Sequence, residues 1–171
     1  MAEGAGRASI PAPCLPSPVA AVETLYGEPY PDHVLTEEEQ AGQRTRDREQ
    51  LARHAEFVRD LPLRAIDRPG AHVAPLLGEL NWRVSPVAPR VLELLGMPYA
   101  EAWSLNRTRL VAALRERHLE TLAEAYEAYY RAGWRRFLDS RAGFEGGAAL
   151  EVLRAGATVV RLGAEFAAAA T

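Results

Sequence analysis

The chain has 171 residues, 48% of them hydrophobic and 25% charged, with a formal net charge of −3. That length suits one domain able to remove roughly two-thirds of its unfolded surface from water, and the composition is too apolar and too weakly charged for disorder throughout. A pI near 5.9, with arginine interleaved with glutamate, argues against nucleic acid as a partner, because such binders carry a net basic domain or a concentrated basic stripe.

All 20 basic residues are arginine, which reads as the codon usage of a GC-rich bacterium. The single Cys14 has no intrachain partner, as expected in a reducing compartment. Residues 1–12 hold one arginine with no long apolar stretch behind it, and no segment reaches about 18 uncharged apolar residues, so no secretion, lipid anchor or transmembrane segment is expected. The expected location is the cytoplasm.

Pro11, Pro13, Pro16, Pro18, Pro29 and Pro31, together with Gly4, Gly6 and Gly27, crowd the start of the chain. Proline fixes φ and removes a backbone donor, so residues 1–35 read as an extended or disordered arm. Its Val19, Val22, Leu25, Tyr26 and Tyr30 give it apolar groups for docking, and Val19, Tyr26 and Tyr30 are candidate interface residues. Residues 36–171 read as a single helical domain.

Thr36 followed by Glu37, Glu38 and Glu39 forms a capping box and starts a helix. The helix is expected to run to about Asp60, where Pro62 stops it. From Glu37 to Gln50 it carries no large apolar residue, so its first half is expected to project into solvent or lie on a polar partner. Leu51, Ala55, Val58 and Leu61 then form a stripe at helical spacing. Residues 61–82 are punctuated by Pro62, Pro69, Gly70, Pro75 and Gly78 and are expected as loop with one short helical turn.

Ser85 before Pro86 marks a helix start and Gly96 a stop, with Val87, Val91, Leu94 and Leu95 on the buried face. Pro98 opens another helix whose Tyr99, Trp103 and Leu105 face inward. The longest helical pattern runs from about Asn106 to Asp139, with Val111, Leu114, His118, Leu122, Tyr126, Tyr129 and Trp134 near one face. Gly143, Gly146 and Gly147 turn the chain into a last helix over roughly 148–169. That helix is apolar around most of its circumference; Ala149, Leu153, Gly156, Val160, Gly163 and Ala167 form a seam opposite a thin polar stripe. Glycine inside a helix costs about 1 kcal/mol against alanine, so something packs close to the backbone there, either within the chain or from another subunit. Leu153, Gly156, Val160 and Gly163 are candidate interface residues. The polar stripe lacks the basic excess of an anionic-lipid binder, which leaves only weak membrane-surface contact.

No Glu-x-x-His pair, thiolate cluster, Gly-x-Ser-x-Gly elbow, phosphate loop or dinucleotide fingerprint occurs. No catalytic residue, cofactor or metal is therefore assigned. His118, Tyr126, Tyr130, Trp134 and Arg131 are candidate pocket residues, the rings falling along one helical face. Arg131, Arg135, Arg136 and Arg141 cluster toward the end of that helix, where they complement its dipole.

The expected fold is all-α: a helical bundle of about 4–5 helices with a long central helix, preceded by the Pro-rich arm. The expected function is that of a non-catalytic interaction or assembly subunit in a homo- or hetero-oligomer, associating through the apolar C-terminal helix and the arm. The alternative is a small helical enzyme or ligand-binding protein with a pocket near His118 and the Tyr126–Trp134 aromatic face.

Overall fold

A computed structural model of the chain describes residues 35–66, 73–139 and 146–170, without the side chains of 65–66, 73–74, 134–139 and 146–148. These residues form seven helices and no strand, the all-α class expected: α1 Glu37–Ile66, α2 Val73–Val84, α3 Val87–Leu94, α4 Tyr99–Ser104, α5 Arg107–Glu116, α6 Glu120–Asp139 and α7 Gly146–Ala169. All seven fall within one unit, Leu35–Thr171. The arm residues Val19, Val22, Leu25, Tyr26 and Tyr30 lie outside the described residues.

The capping box forms. Thr36 N–H donates to Glu39 Oε2 at 2.8 Å and Glu39 N–H donates to Thr36 Oγ1 at 3.3 Å. α1 then departs from expectation at both ends. Its first half does not project: Gln43, Asp47 and Leu51, at i, i+4 and i+8, are buried, and Arg48 Nη2 donates to the Ala170 carbonyl at 3.0 Å. A polar stripe at helical spacing can face inward when the groups opposite supply charge and hydrogen bonds, which α3 does here.

α1 also continues through Pro62 to Ile66. Proline inside a helix costs about 3 kcal/mol because the carbonyl four residues back, here that of Val58, loses its donor. Packing on both sides of the proline offsets this. Leu61 is in the core, Arg64 meets Glu79 at 2.9 Å, and the Arg64 and Arg83 guanidinium groups lie 4.9 and 3.8 Å from the Phe57 ring centre.

The segment expected as loop is largely the 12-residue helix α2. Pro75 sits in its first turn, where a missing N–H leaves no bond unmade. Leu76, Leu77, Leu80 and Val84 then form its buried stripe. α3 follows after two residues, with Pro86 rather than Ser85 at its cap position. Its buried face is Val87, Ala88, Val91 and Leu92; Leu94 is half-buried and Leu95 exposed. Gly96, at φ 89°, ends α3, with Met97 N–H donating to the Leu92 carbonyl at 3.0 Å. α4 buries Ala102, while Tyr99 is half-buried and Trp103 reaches the surface.

The single helix expected over 106–139 is two. Asn106 caps α5, its Oδ1 accepting from Arg109 N–H at 3.0 Å. α5 ends in a Schellman motif: His118 N–H donates to the Arg115 carbonyl at 2.9 Å and Leu119 N–H to the Leu114 carbonyl at 3.0 Å. His118 occupies the left-handed position at φ 59°, where glycine is usual. A histidine there gives no stop signal in the sequence, so the apolar pattern runs on across the break.

The central helix is α7, which packs against α1, α2, α3 and α6. Its glycines make that possible. A Cβ on Gly156 would lie 2.6 Å from Leu80 Cδ2 and 3.0 Å from Tyr129 Cε2, and one on Gly163 would lie 2.6 Å from Val87 Cγ1. Leu153 and Val160 are buried in the same seam.

Candidate functional site

The seam of Leu153, Gly156, Val160 and Gly163, expected as a possible subunit interface, is filled by helices of the same chain. Close intrachain approach accounts for both glycines, and these residues are not on the surface. This seam is therefore not a ready-made contact for another subunit.

The candidate pocket does not assemble around His118. That side chain is 92% exposed in the α5–α6 turn, its Nδ1 4.0 Å from Glu120 Oε1. The turn geometry carries it off the apolar face that a continuous helix would have given it. Arg131 is exposed as well, with its Nη2 2.6 Å from Glu127 Oε1. The Trp134 side chain lies outside the described residues.

Tyr126 and Tyr130 do come together, with Tyr129, in a hydroxyl network against the α2–α3 junction. Tyr126 OH donates to the Ser85 carbonyl at 3.2 Å and lies 3.4 Å from Tyr130 OH; Tyr130 OH is 3.2 Å from Ser85 Oγ; Tyr129 OH donates to Asn81 Oδ1 at 3.1 Å. The carbonyl of Ser85 faces Pro89, which has no N–H to give it, so Tyr126 supplies the missing donor. Arg107 lies 4.1 Å from the Tyr130 ring centre. Burial raises the Tyr126 hydroxyl well above its ordinary value and pushes Tyr129 up to about 12. Neutral, mutually bonded phenols of this kind tie α6 to α2 and α3.

A second polar cluster was not legible in the sequence. Asp47 on α1 and Glu93 on α3 are 1% and 4% exposed. Asp47 Oδ1 accepts from Gln43 Nε2 at 3.2 Å and lies 3.2 Å from Arg90 Nε, a charge contact whose N–H direction misses hydrogen-bond geometry. Trp103 Nε1 donates to Glu93 Oε1. Burial and then the neighbouring Asp47 charge push Glu93 up to about 8, so it is protonated at neutral pH. Burial raises Asp47 as well, opposed by Arg90 and by the hydrogen bond from Glu93. Asp47 Oδ2, itself buried, has no hydrogen-bond donor among the described residues. Along the same face of α1, burial and then Arg90 and Arg83 hold His54 down to about 4, against a hydrogen bond to the Arg83 backbone. The cluster joins α1, α3 and α4 in one internal clasp. A buried Asp at i+4 from a Gln, opposite an Arg-x-x-Glu pair, is its sequence trace.

The outer face of α2 has a different character. Pro75, Gly78 and Trp82, at i, i+3 and i+7, are all exposed, and Trp82 is 81% exposed, more than any other large hydrophobic residue described. A Cβ on Gly78 would meet nothing within 4 Å among the described residues. Trp82 therefore stands beside a flat, open stretch of helix. On one flank of this face are Glu79 and Arg83, both half-exposed. The signal in the sequence was the position of Trp82, off the Leu76, Leu77, Leu80 and Val84 stripe.

Among the described residues no group of three or more His, Cys, Asp or Glu is placed to hold a metal ion, and no helix is long and apolar enough to cross a membrane. No protein-family model, curated protein or solved structure matches the chain.

Proposed function

We propose that this chain is a non-catalytic interaction and assembly subunit of the cytoplasm that docks through the outer face of α2. The observation that carries the reading is Trp82. An indole offers one of the largest apolar surfaces of any side chain, and tryptophan is enriched among the few residues that dominate binding energy at interfaces. Single exposed apolar residues are common on protein surfaces, but this one borders Gly78, where a partner can approach the backbone. The helices behind it are fixed by the buried clasp and the tyrosine network, so the face is presented on a rigid frame.

A photo-crosslinking residue at position 82, in the cells that make the protein, tests this. The expected result is a discrete adduct that the same group at the exposed position 59 does not give. Equal, diffuse labelling at both positions would overturn the reading.

A second reading, a small helical enzyme or ligand-binding protein, draws on the Asp47–Glu93 pair. Two carboxyls side by side are an arrangement found where acid–base chemistry occurs, and Glu93 is bonded to the N–H of the partly exposed Trp103. It requires Glu93 to be reachable in the folded chain. Labelling of Glu93 by a carboxyl-reactive carbodiimide under native conditions would favour it, and protection of Glu93 until unfolding would leave the pair as an internal clasp.

A further inference from the structure

We infer that the first half of α1, residues 37–50, is a pH-sensitive strap: when the buried carboxyl pair of Asp47 and Glu93 loses its proton, this half of the helix lifts from α3 while the other helices stay packed.

Three observations carry it. First, polar contacts hold the strap down. Between Glu37 and Gln50 the buried side chains are Gln43 and Asp47, and Ala41, the one apolar side chain of the stretch, is exposed. Its ties to the body include Asp47 Oδ1, 3.2 Å from Arg90 Nε, and the bond from Arg48 Nη2 to the Ala170 carbonyl at 3.0 Å. The first apolar anchor of α1 is Leu51, fully buried. A segment that buries little apolar surface opens locally at much lower cost than one built into the core.

Second, the cluster beneath the strap is short of positive charge. Asp47 and Glu93, 1% and 4% exposed, act on one common guanidinium, that of Arg90. With one carboxyl protonated the three groups are neutral together; with both ionised they bury a net negative charge, which is costly away from water. The other elements packed here do not supply the missing charge. α4 presents the Tyr99 hydroxyl and the Trp103 N–H, both neutral. Glu79 and Arg83 of α2 are engaged with Arg64 and the Phe57 ring, and every charged residue of α5 and α7 is exposed. His54, held down to about 4, is neutral at neutral pH and lies beyond Leu51, on the part of α1 that stays.

Third, the strap is the side that yields. α3 is fixed by the fully buried Val87, Val91 and Leu92, and α4 by Ala102. Trp103 N–H donates to Glu93, and ionising the carboxyl strengthens that bond. Repulsion between Asp47 and Glu93 therefore acts across the α1–α3 contact, where α1 has no apolar hold. Burial and the Asp47 charge push Glu93 up to about 8, against an ordinary 4.5 once water reaches it. Between those values the closed form keeps a proton that the open form has released, so opening grows more favourable as pH rises and levels off above about 8.

The test is amide hydrogen exchange of the full chain, read by mass spectrometry from about pH 6 to 9, for the natural sequence, Glu93→Gln and Asp47→Asn. Comparison of chains at one pH removes the pH dependence of the exchange chemistry itself. In the natural chain, protection of residues 37–50 is expected at least about tenfold below that of residues 152–166 in α7, as for a segment that opens by itself. It is expected to fall by up to about tenfold per pH unit until about pH 8. Each variant removes the excess negative charge with a different side chain and should abolish that fall, so one folded variant suffices. Equal protection of the two segments shows that they open together and overturns the strap. Protection of 37–50 that is constant with pH in the natural chain, or a fall that survives in either folded variant, overturns the role of the carboxyl pair.

Discussion

Arg90 Nε lies 3.2 Å from Asp47 Oδ1 across the α1–α3 interface, with Asp47 almost wholly buried. Removing one member of such a pair leaves the other charge inside the protein without compensation, which costs more than the pair contributes as a unit. Asp47→Ala is therefore expected to lower stability by about 3–5 kcal/mol, while the double replacement Asp47→Leu with Arg90→Met loses much less. Urea unfolding monitored by circular dichroism measures both. A single variant no less stable than the double would contradict the description of the clasp.

Stability is expected to depend on pH through two groups of opposite sign. Glu93 is an acid whose folded value, about 8, lies above its ordinary 4.5. Between those values the folded chain keeps a proton that the unfolded chain has released, so stability falls as pH rises. His54, held at about 4 against an ordinary 6.5, acts in the other direction: as pH falls from 6.5 towards 4 the unfolded chain gains a proton first, and stability falls. Asp47, raised from 3.8, acts in the same sense as Glu93 but with its partner Arg90 opposing the shift. From pH 6.5 to 8 the Glu93 slope is therefore no longer offset by His54. The natural chain should lose up to about 1.4 kcal/mol per pH unit there. Glu93→Gln should flatten the slope in urea titrations; an equally steep variant would place the effect elsewhere.

The glycines of α6 and α7 should respond oppositely to alanine. Among the described residues nothing lies within 4 Å of a Cβ on Gly133, so Gly133→Ala is expected to gain about 1 kcal/mol from helix propensity alone. At Gly163 the new Cβ would sit 2.6 Å from Val87 Cγ1. Valine is stiff about χ1 and this one is fully buried, so overpacking of about 1–3 kcal/mol outweighs the propensity gain. Melting temperatures of the two variants should move to opposite sides of the parent.

His118 should be replaceable by glycine with a gain. A left-handed backbone costs an ordinary residue about 1–2 kcal/mol, of which the greater flexibility of unfolded glycine takes back a part. His118→Gly is expected to stabilise by about 1 kcal/mol. No measurable gain in urea unfolding would mean that the imidazole contributes something its 92% exposure does not reveal.

Much of the helical framework was legible because local chemistry announced it. Thr36 and Glu39 form the capping box, Gly96 ends α3 in the left-handed region, and the small-and-large seam from Ala149 to Ala167 belongs to a helix enclosed by others. Two of the misreadings share one physical cause: tertiary contacts overrode a local rule. Pro62 does not stop α1 because Leu61 before it is in the core and Arg64 beyond it is held by Glu79 of α2 and the Phe57 ring. Gln43 and Asp47 face inward because Arg90 and Glu93 lie across from them, and a search for apolar stripes cannot register a polar one. His118 breaks a helix without a glycine. The functional surface was the least legible part, since Trp82 becomes informative only once its neighbours on α2 are known to be buried.

The most direct test of the docking account is hydroxyl-radical footprinting of the natural full-length chain, read by mass spectrometry at Trp82 and Trp103. In dilute solution Trp82, at 81% exposure, should oxidise faster than Trp103, at 38% and bonded through its N–H to Glu93. In the cells that make the protein, where its partner is present, Trp82 should become protected while Trp103 keeps its rate. A Trp82 that reacts as fast in those cells as in the dilute purified chain would contradict the claim that this face of α2 is where the protein meets its partner.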